Sequence, residues 1–442
     1  MEFSTDPTLA SHLDEHDELA LFRQKFIIDD PDTIYLDGNS LGRLPVDTLE
    51  HMQNVIATQW GQRLIRGWNE GWVDAPQKLG DKIAQLIGAQ PGEVLVTDST
   101  SANLFKLAVA ALRTRPGRAK IVSDALNFPS DLYIFQGISE FLGKGHKLKL
   151  IPSRDDIHIH PEDIAAAIDK QTALVSLTHV AFKSAFMYDM QAITAQAHQA
   201  GALTLWDLSH SVGAVLLKLD EWGVDLAVGC TYKYLNGGPG APAFLYVRRK
   251  LQEQIMQPIW GWFAAQSPFE FDLDFTPAAG ISRFRVGTAP ILSMLAIEPA
   301  LDIFLEAGME RLRKKSVQQS EYLLHLARKW LLPLGFSLGS PEDASQRGSH
   351  ISLRHPEAYR INRAMIELPP MPEGFWEKVS EIEQPAPNLH VIPDFRAPDN
   401  IRLGIAPLYN TFTDIHRALN HIRLITSEKI YLQYSQERLT VT

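Results

Sequence analysis

The chain has 442 residues, 45% of them hydrophobic and 21% charged, the proportions of a globular protein with chain for roughly one to three domains. Its formal net charge of −10 excludes a broad nucleic-acid-binding face, which needs a basic stripe, but leaves room for a local pocket that takes a small anion. The single cysteine, Cys230, excludes an intramolecular disulfide and suits a reducing cytoplasm. Residues 1–30 are acidic and mixed and are not expected to form a secretory signal. With no run of about 18 apolar residues, no membrane span is expected.

In chain order, residues 1–50 read as an N-terminal arm: a polar helix, the strand-like Ile34-Tyr35-Leu36, and the turn Asp37-Gly38-Asn39-Ser40. Between about 90 and 250, short apolar runs alternate with helical stretches. The runs are Val94 to Thr97, Lys120 to Val122, Leu148 to Ile151, Ala173 to Leu177, Ala202 to Trp206, Asp225 to Val228 and Ala243 to Val247. Runs without polar alternation fit strands buried on both faces. Helices are expected over Asn103 to Leu112 and Met190 to Ala200. This rhythm predicts an α/β fold with a mainly parallel sheet flanked by helices. A long helical region follows from about 289 to 331, then a smaller α+β domain. The expected division is an arm over 1–50, a large domain over 51–310 and a small domain over 311–442. Ser340 to Ser349 and the Pro-rich Leu368 to Gly374 read as loops.

Chemistry concentrates at strand ends. Ala202 to Asp207 is an apolar run that ends in a carboxylate, where open parallel sheets bind ligands. Taken alone, Asp207 reads first as a helix cap. A second run from Asp225 ends at Lys233, 26 residues after Asp207, and Gly237-Gly238-Pro239-Gly240 follows. Burial and neighbouring charge turn a lysine into a Schiff-base nucleophile. The strand–Asp, strand–Lys order matches the needs of pyridoxal phosphate (PLP): a carboxylate to keep the pyridine nitrogen protonated, and an amine for the aldehyde. Asp98-Ser99-Thr100-Ser101-Ala102-Asn103, between a strand and a helix, offers hydroxyl and backbone donors to a phosphate, or else a plain Ser/Thr cap. Phe128, in Asn127-Phe128-Pro129-Ser130-Asp131, is placed either to stack on the pyridine ring or to pack in the core.

These strings, with Tyr35-Leu36-Asp37-Gly38-Asn39-Ser40-Leu41-Gly42, Trp206-Asp207-Leu208-Ser209-His210-Ser211, Thr231 to Gly240 and Arg402-Leu403-Gly404-Ile405-Ala406-Pro407-Leu408-Tyr409, resemble the kynureninase family from about residue 34 to 425. The Lys233 string alone resembles the wider class V aminotransferases. The resemblance implies PLP-dependent fold type I and hydrolytic Cβ–Cγ cleavage of L-kynurenine in tryptophan degradation and NAD biosynthesis. It implies that Lys233 carries the cofactor aldehyde, Asp207 pairs with the pyridine nitrogen, His210 lies beside the cofactor and Phe128 stacks on it. Thr100, Ser101 and Tyr232 are implied as phosphate ligands, with Ser130, Asp131 and Thr178 completing the cofactor shell. Trp262 and Thr288 match positions that reach the site from a neighbouring subunit, implying a homodimer. Arg402 matches the arginine that forks onto the substrate α-carboxylate, and Asn39 and Ser40 are implied beside it. Trp68 and Trp72 are implied near the substrate aryl ring, and tryptophan at 68 resembles the bacterial pattern linked to unsubstituted kynurenine over its 3-hydroxy form.

Other features point elsewhere. His158-Ile159-His160 alternates imidazoles as a metal strand does, but a third ligand is missing and Pro161-Glu162-Asp163 reads as a helix start, so no metal is expected. Arg311, Arg313, Lys314 and Lys315 read as a solvated helix face. The alternatives that spacing leaves open are another class V PLP enzyme, namely an aminotransferase or desulfurase, and a PLP-fold scaffold without catalysis. A desulfurase needs a reactive cysteine on a mobile loop, whereas Cys230 lies at a strand end three residues before Lys233.

Overall fold

The computed structural model describes residues 3–143, 145–367 and 389–437. The expected loop Leu368 to Gly374 lies outside them. Near the N-terminus, strand β1 (Thr33–Tyr35) follows a helix over Pro7–Glu15. The seven apolar runs form β2 (Val94–Val96), β3 (Lys120–Asp124), β4 (Lys147–Ile151), β5 (Thr172–Thr178), β6 (Leu203–Asp207), β7 (Leu226–Gly229) and β8 (Phe244–Val247). They make one sheet in the order β2-β8-β7-β6-β5-β3-β4. Only β8 runs against its neighbours; the other pairings are parallel. The chain steps to opposite sides after β3, pairing it with both β4 and β5, so a crevice opens at the carboxyl ends nearby.

The absence of polar alternation in these runs has a plain cause. Leu203, Leu205, Leu226, Val228 and Leu245 face one buried cluster with the helix over Thr100–Arg113. Val175, Leu177, Trp206, Ala227 and Tyr246 face a second cluster on the opposite side. The helix over Met190–Ala200 begins and ends on sequence signals. Asp189 caps Met190–Ala200 by accepting from the Ala192 amide at 2.9 Å, and Gly201 ends it at φ +77°, a conformation that suits glycine.

Toward the C-terminus, β9 (Ser337–Leu338), β10 (His350–Arg354), β12 (Asp394–Arg396) and β13 (Asn400–Gly404) form an antiparallel sheet in the order β12-β13-β10-β9. Strand β11 (His390–Ile392) pairs instead with β1, in parallel. Ala10, Leu13, Ile34 and Leu36 therefore join the same apolar cluster as Ile351, Leu403 and Leu419. The N-terminal segment is packed into the C-terminal layer rather than standing apart from it.

The helix over Met309–Trp330 spans both cores, with Leu312 in one and Leu323 in the other. Its basic cluster is only partly the solvated face expected from composition. Arg311 and Lys314 are exposed, but Lys315 is buried, bonded to the Pro407 carbonyl and ion-paired with Asp17 at 2.7 Å. Arg313 points its guanidinium into carbonyls of Ala344, Arg347 and Gly348. Two consecutive helix faces meet different neighbours, which composition alone does not reveal. Ser340 to Ser349 is largely the loop expected, with one short 3₁₀ turn over Ala344–Gln346.

Candidate active site

The carboxyl ends of β6 and β7 place two charges in one cavity. Asp207, the last residue of β6, and Lys233, four residues beyond β7, both line it. No helix follows Asp207 directly. Its carboxylate accepts from the Ser209 amide at 2.9 Å and the Ser209 hydroxyl at 2.6 Å, and that hydroxyl also receives the Cys230 amide. Ser209 thus ties the end of β6 to the end of β7. Burial raises the Asp207 pKa, while Ser209 and Lys233 oppose that rise. Asp131, also buried in the cavity wall, is raised well above the usual carboxylate range by burial and then by Asp207. Two buried carboxyls facing one lysine leave room for a further cation.

Lys233 Nζ lies 3.4 Å from His210 Nε2 and 5.8 Å from the centre of the Phe128 ring. Burial, then the Lys233 charge, holds His210 well below the usual imidazole range, so it is neutral. Phe128 meets Phe182 edge-on at 5.3 Å, which fixes its ring at the cavity mouth. Tyr232 also lines the cavity, and burial raises its phenol so that it keeps its proton.

The hydroxyl end is built by two helix starts. Ser99 takes the capping role at Thr100–Arg113, accepting from the Ala102 amide. Thr100 and Ser101 are left to line the cavity, and Ser101 Oγ lies 3.1 Å from Ser130 Oγ on the next helix. Two adjacent helix N-termini that present three hydroxyls, from Thr100, Ser101 and Ser130, make an anion cradle. At the other wall stand Asn39, Ser40, Arg396 and Arg402. The cavity thus offers an amine, buried carboxyls, an aromatic ring and an anion cradle, and these residues fit PLP: the helix starts would hold its phosphate, Asp207 would pair with its pyridine nitrogen and Lys233 would take its aldehyde.

The structure does not bring every expected residue here. Thr178 ends β5 opposite Asp207, but its hydroxyl donates to the Val180 carbonyl and it does not line the cavity. Trp68, Trp72 and Thr288 line a separate groove with Phe263 and Arg285, and Trp262 lies in a third hollow with Phe271. The alternating histidines are accounted for locally: His158 pairs with Asp155 at 2.8 Å, and His160 begins the helix Pro161–Ala167. Ser209, Phe182 and Arg396 belong to the cavity but were not singled out by motif. Arg396 had a latent signal: in Asp394-Phe395-Arg396 strand alternation puts both charged residues on one face, and β12 pairs Asp394 with Arg402.

The class V aminotransferase family model matches residues 34–357, and the model described as kynureninase C-terminal domain matches 376–422. A cysteine desulfurase from Thermococcus onnurineus superposes with a TM-score of 0.71 at 17% identity, over 89% of this chain and 95% of that one. A C-DES mutant with glycine covalently linked to its PLP cofactor superposes at 0.72 and 17% identity, over 90% and 98%. Such identities carry the fold and not the reaction. Fold and cavity together define a PLP-dependent enzyme of fold type I. Kynureninase from Pseudomonas fluorescens is 42% identical over 97% of this chain and 98% of its own, and kynureninase from Burkholderia pseudomallei is 42% identical over 93% of each. The chain belongs to the kynureninase family.

Proposed function

We propose that this cavity hydrolyses the Cβ–Cγ bond of L-kynurenine to anthranilate and L-alanine, and takes 3-hydroxykynurenine as a second substrate. The observation that carries the reading is the Asp207–Lys233 pair facing one cavity whose far wall holds Arg402. Bound PLP supplies an electron sink for carbanions at the substrate's α and β carbons. Arg402 receives the α-carboxylate. Asp207, ionised once a cation sits against it, keeps a proton on the pyridine nitrogen. Lys233 Nζ removes the Cα proton, and Phe128 would cover one face of the cofactor ring. Water adds to the γ-carbonyl, the Cβ–Cγ bond breaks, and anthranilate departs. Tyr232, a phenol in the cavity wall, would deliver a proton toward Cβ, Lys233 Nζ returns a proton to Cα, and alanine leaves.

We further propose that Trp68, Trp262 and Thr288 act across a homodimer interface, supported by the exposed apolar surface around Trp60, Ile65, Trp262, Phe271 and Leu273. Tryptophan breakdown in the cytoplasm is the setting this chemistry suits. No helix among the described residues is long and apolar enough to cross a membrane. A desulfurase is not favoured: Cys230 is buried and its thiol is raised by that burial, opposite to what a nucleophile needs. Nor is a scaffold without catalysis, since Lys233, Asp207 and Arg402 line one cavity.

Borohydride treatment of the yellow holoenzyme should fix PLP on Lys233, and both substrates should release their fluorescent aryl products. Lys233→Ala should abolish turnover, and Arg402→Ala should chiefly raise KM. A protein that stays colourless with added PLP defeats the reading.

A further inference from the structure

Arg402 is already engaged by a carboxylate of this chain. Its side chain is 1% exposed and paired with Asp394, itself 3% exposed. Nη2 donates to both Asp394 Oδ2 and Ser40 Oγ, and Nη1 donates to the Phe182 carbonyl. A carboxylate fork needs two parallel N–H donors. Of the four hydrogens on the two Nη atoms, three are taken. A substrate carboxylate can take the fork only if one of these partners lets go.

A second arginine stands ready for the partner released. Arg396 lines the same cavity, and its Nη1 lies 2.9 Å from Asp394 Oδ1, the oxygen that Arg402 does not hold. Asp394 thus lies at ion-pair distance from both guanidiniums on two paired antiparallel strands: Arg402 is hydrogen-bonded to Oδ2, while Arg396 Nη1 donates to the Phe395 carbonyl at 3.1 Å and leaves Oδ1 without a hydrogen bond, open to be taken up. Asp37 stands beside the group, pushed up to about 6 by burial and then by the Asp394 charge. A substrate carboxylate would enter a group already holding two carboxyls and needs both cations. Ser40 also donates to Asp394 Oδ2, so it moves with that carboxylate.

We propose that Asp394 is the resting counterion of Arg402 and that Arg396 takes it over when the substrate α-carboxylate arrives. Arg396 is then a specificity-determining residue: a ligand without a carboxylate gains nothing from displacing Asp394. The inference rests on the proposed reaction and names the part of the cavity that sorts its substrates.

The test uses full-length holoenzyme titrated with L-alanine, with binding read from the cofactor absorbance. Arg396→Gln should weaken L-alanine roughly tenfold, with the loss in turnover assays falling on KM, and Arg396→Lys should recover part of it. Asp394→Asn should bind L-alanine more tightly by a similar factor, because the internal competitor is gone. Unchanged binding in Arg396→Gln, or binding in Asp394→Asn that is unchanged or weaker, overturns the proposal. Should Asp394→Asn fail to fold, the Arg396 pair alone decides. A wild type that binds PLP yet forms no anthranilate defeats the reaction, while the L-alanine titration still decides the exchange.

Discussion

Gly42 donates its amide hydrogen to the carbonyl of Tyr232 over 2.8 Å, so the last residue of the N-terminal motif is bonded to the residue before Lys233. A Cβ at Gly42 would strike the Lys233 carbonyl, and Asn236 Cα would lie 2.6 Å away. Those neighbours are backbone and cannot turn aside. Gly42→Ala should therefore shift the Lys233 loop and lower kcat roughly 10- to 100-fold while the protein stays folded. Steady-state kinetics beside a thermal melt would check it; wild-type kcat in a soluble Gly42→Ala protein would contradict it.

Lys106 anchors the hydroxyl end from behind. Its side chain is fully buried and bonds Asp98 at 2.5 Å and the Phe284 carbonyl at 2.9 Å. Asp98 sits at φ +48°, an uncommon conformation for a residue with a side chain, directly before Ser99 and Thr100. Lys106→Met leaves that carboxylate without its partner and should cost about 3 kcal/mol, near the low end for a broken buried pair because Asp98 is partly exposed. PLP should also dissociate more readily. Adding Asp98→Asn should restore part of the stability, measured by denaturant unfolding, since it removes the stranded charge.

How much of this was legible follows from what each feature is made of. The strands were readable because burial on both faces removes polar alternation, and Asp207 and Lys233 because they end such runs. Arg396 carried only the latent alternation of Asp394-Phe395-Arg396, because its role depends on the β12–β13 pairing that sets this strand beside Arg402. The meeting of the two chain ends was likewise hidden. A Cβ at Gly404 would collide with the Asn39 side chain, so a glycine far along the chain is required by a residue near its start. The motif strings around both positions mark sequence similarity, but the contact that explains them is tertiary. Trp68, Trp262 and Thr288 show the opposite limit: their strings were plain, yet within one chain they stand outside the cavity.

Acid sensitivity should trace in part to His179. Burial lowers it from 6.5 to about 3, and its Nδ1 lies 3.0 Å from the Ser211 hydroxyl. The unfolded chain takes up a proton near pH 6.5 that the folded chain refuses, so this stability is whole above pH 6.5 and is lost as pH falls toward 3. By pH 5 the loss is about 2 kcal/mol. His179→Gln should therefore show a smaller drop in unfolding free energy between pH 7 and pH 5 than wild type. An identical pH slope in the two proteins would rule this out.

The sole cysteine offers a direct probe of the sheet ends. Cys230 is 2% exposed, its amide is bonded to Ser209 Oγ, and its thiol lies 3.8 Å from the Ser209 carbonyl. Burial keeps it in the thiol form, which is a poor nucleophile. A disulfide reagent should leave the folded holoenzyme unlabelled and titrate one thiol once the protein is unfolded in guanidinium. Cys230→Ala should retain catalysis, because the proposed chemistry runs through Lys233 and not through sulfur, with at most a modest loss of stability from the small void. Rapid labelling of the native protein with parallel loss of activity would mean that Cys230 is open to the cavity, and would reinstate the sulfur-transfer chemistry that its burial argues against.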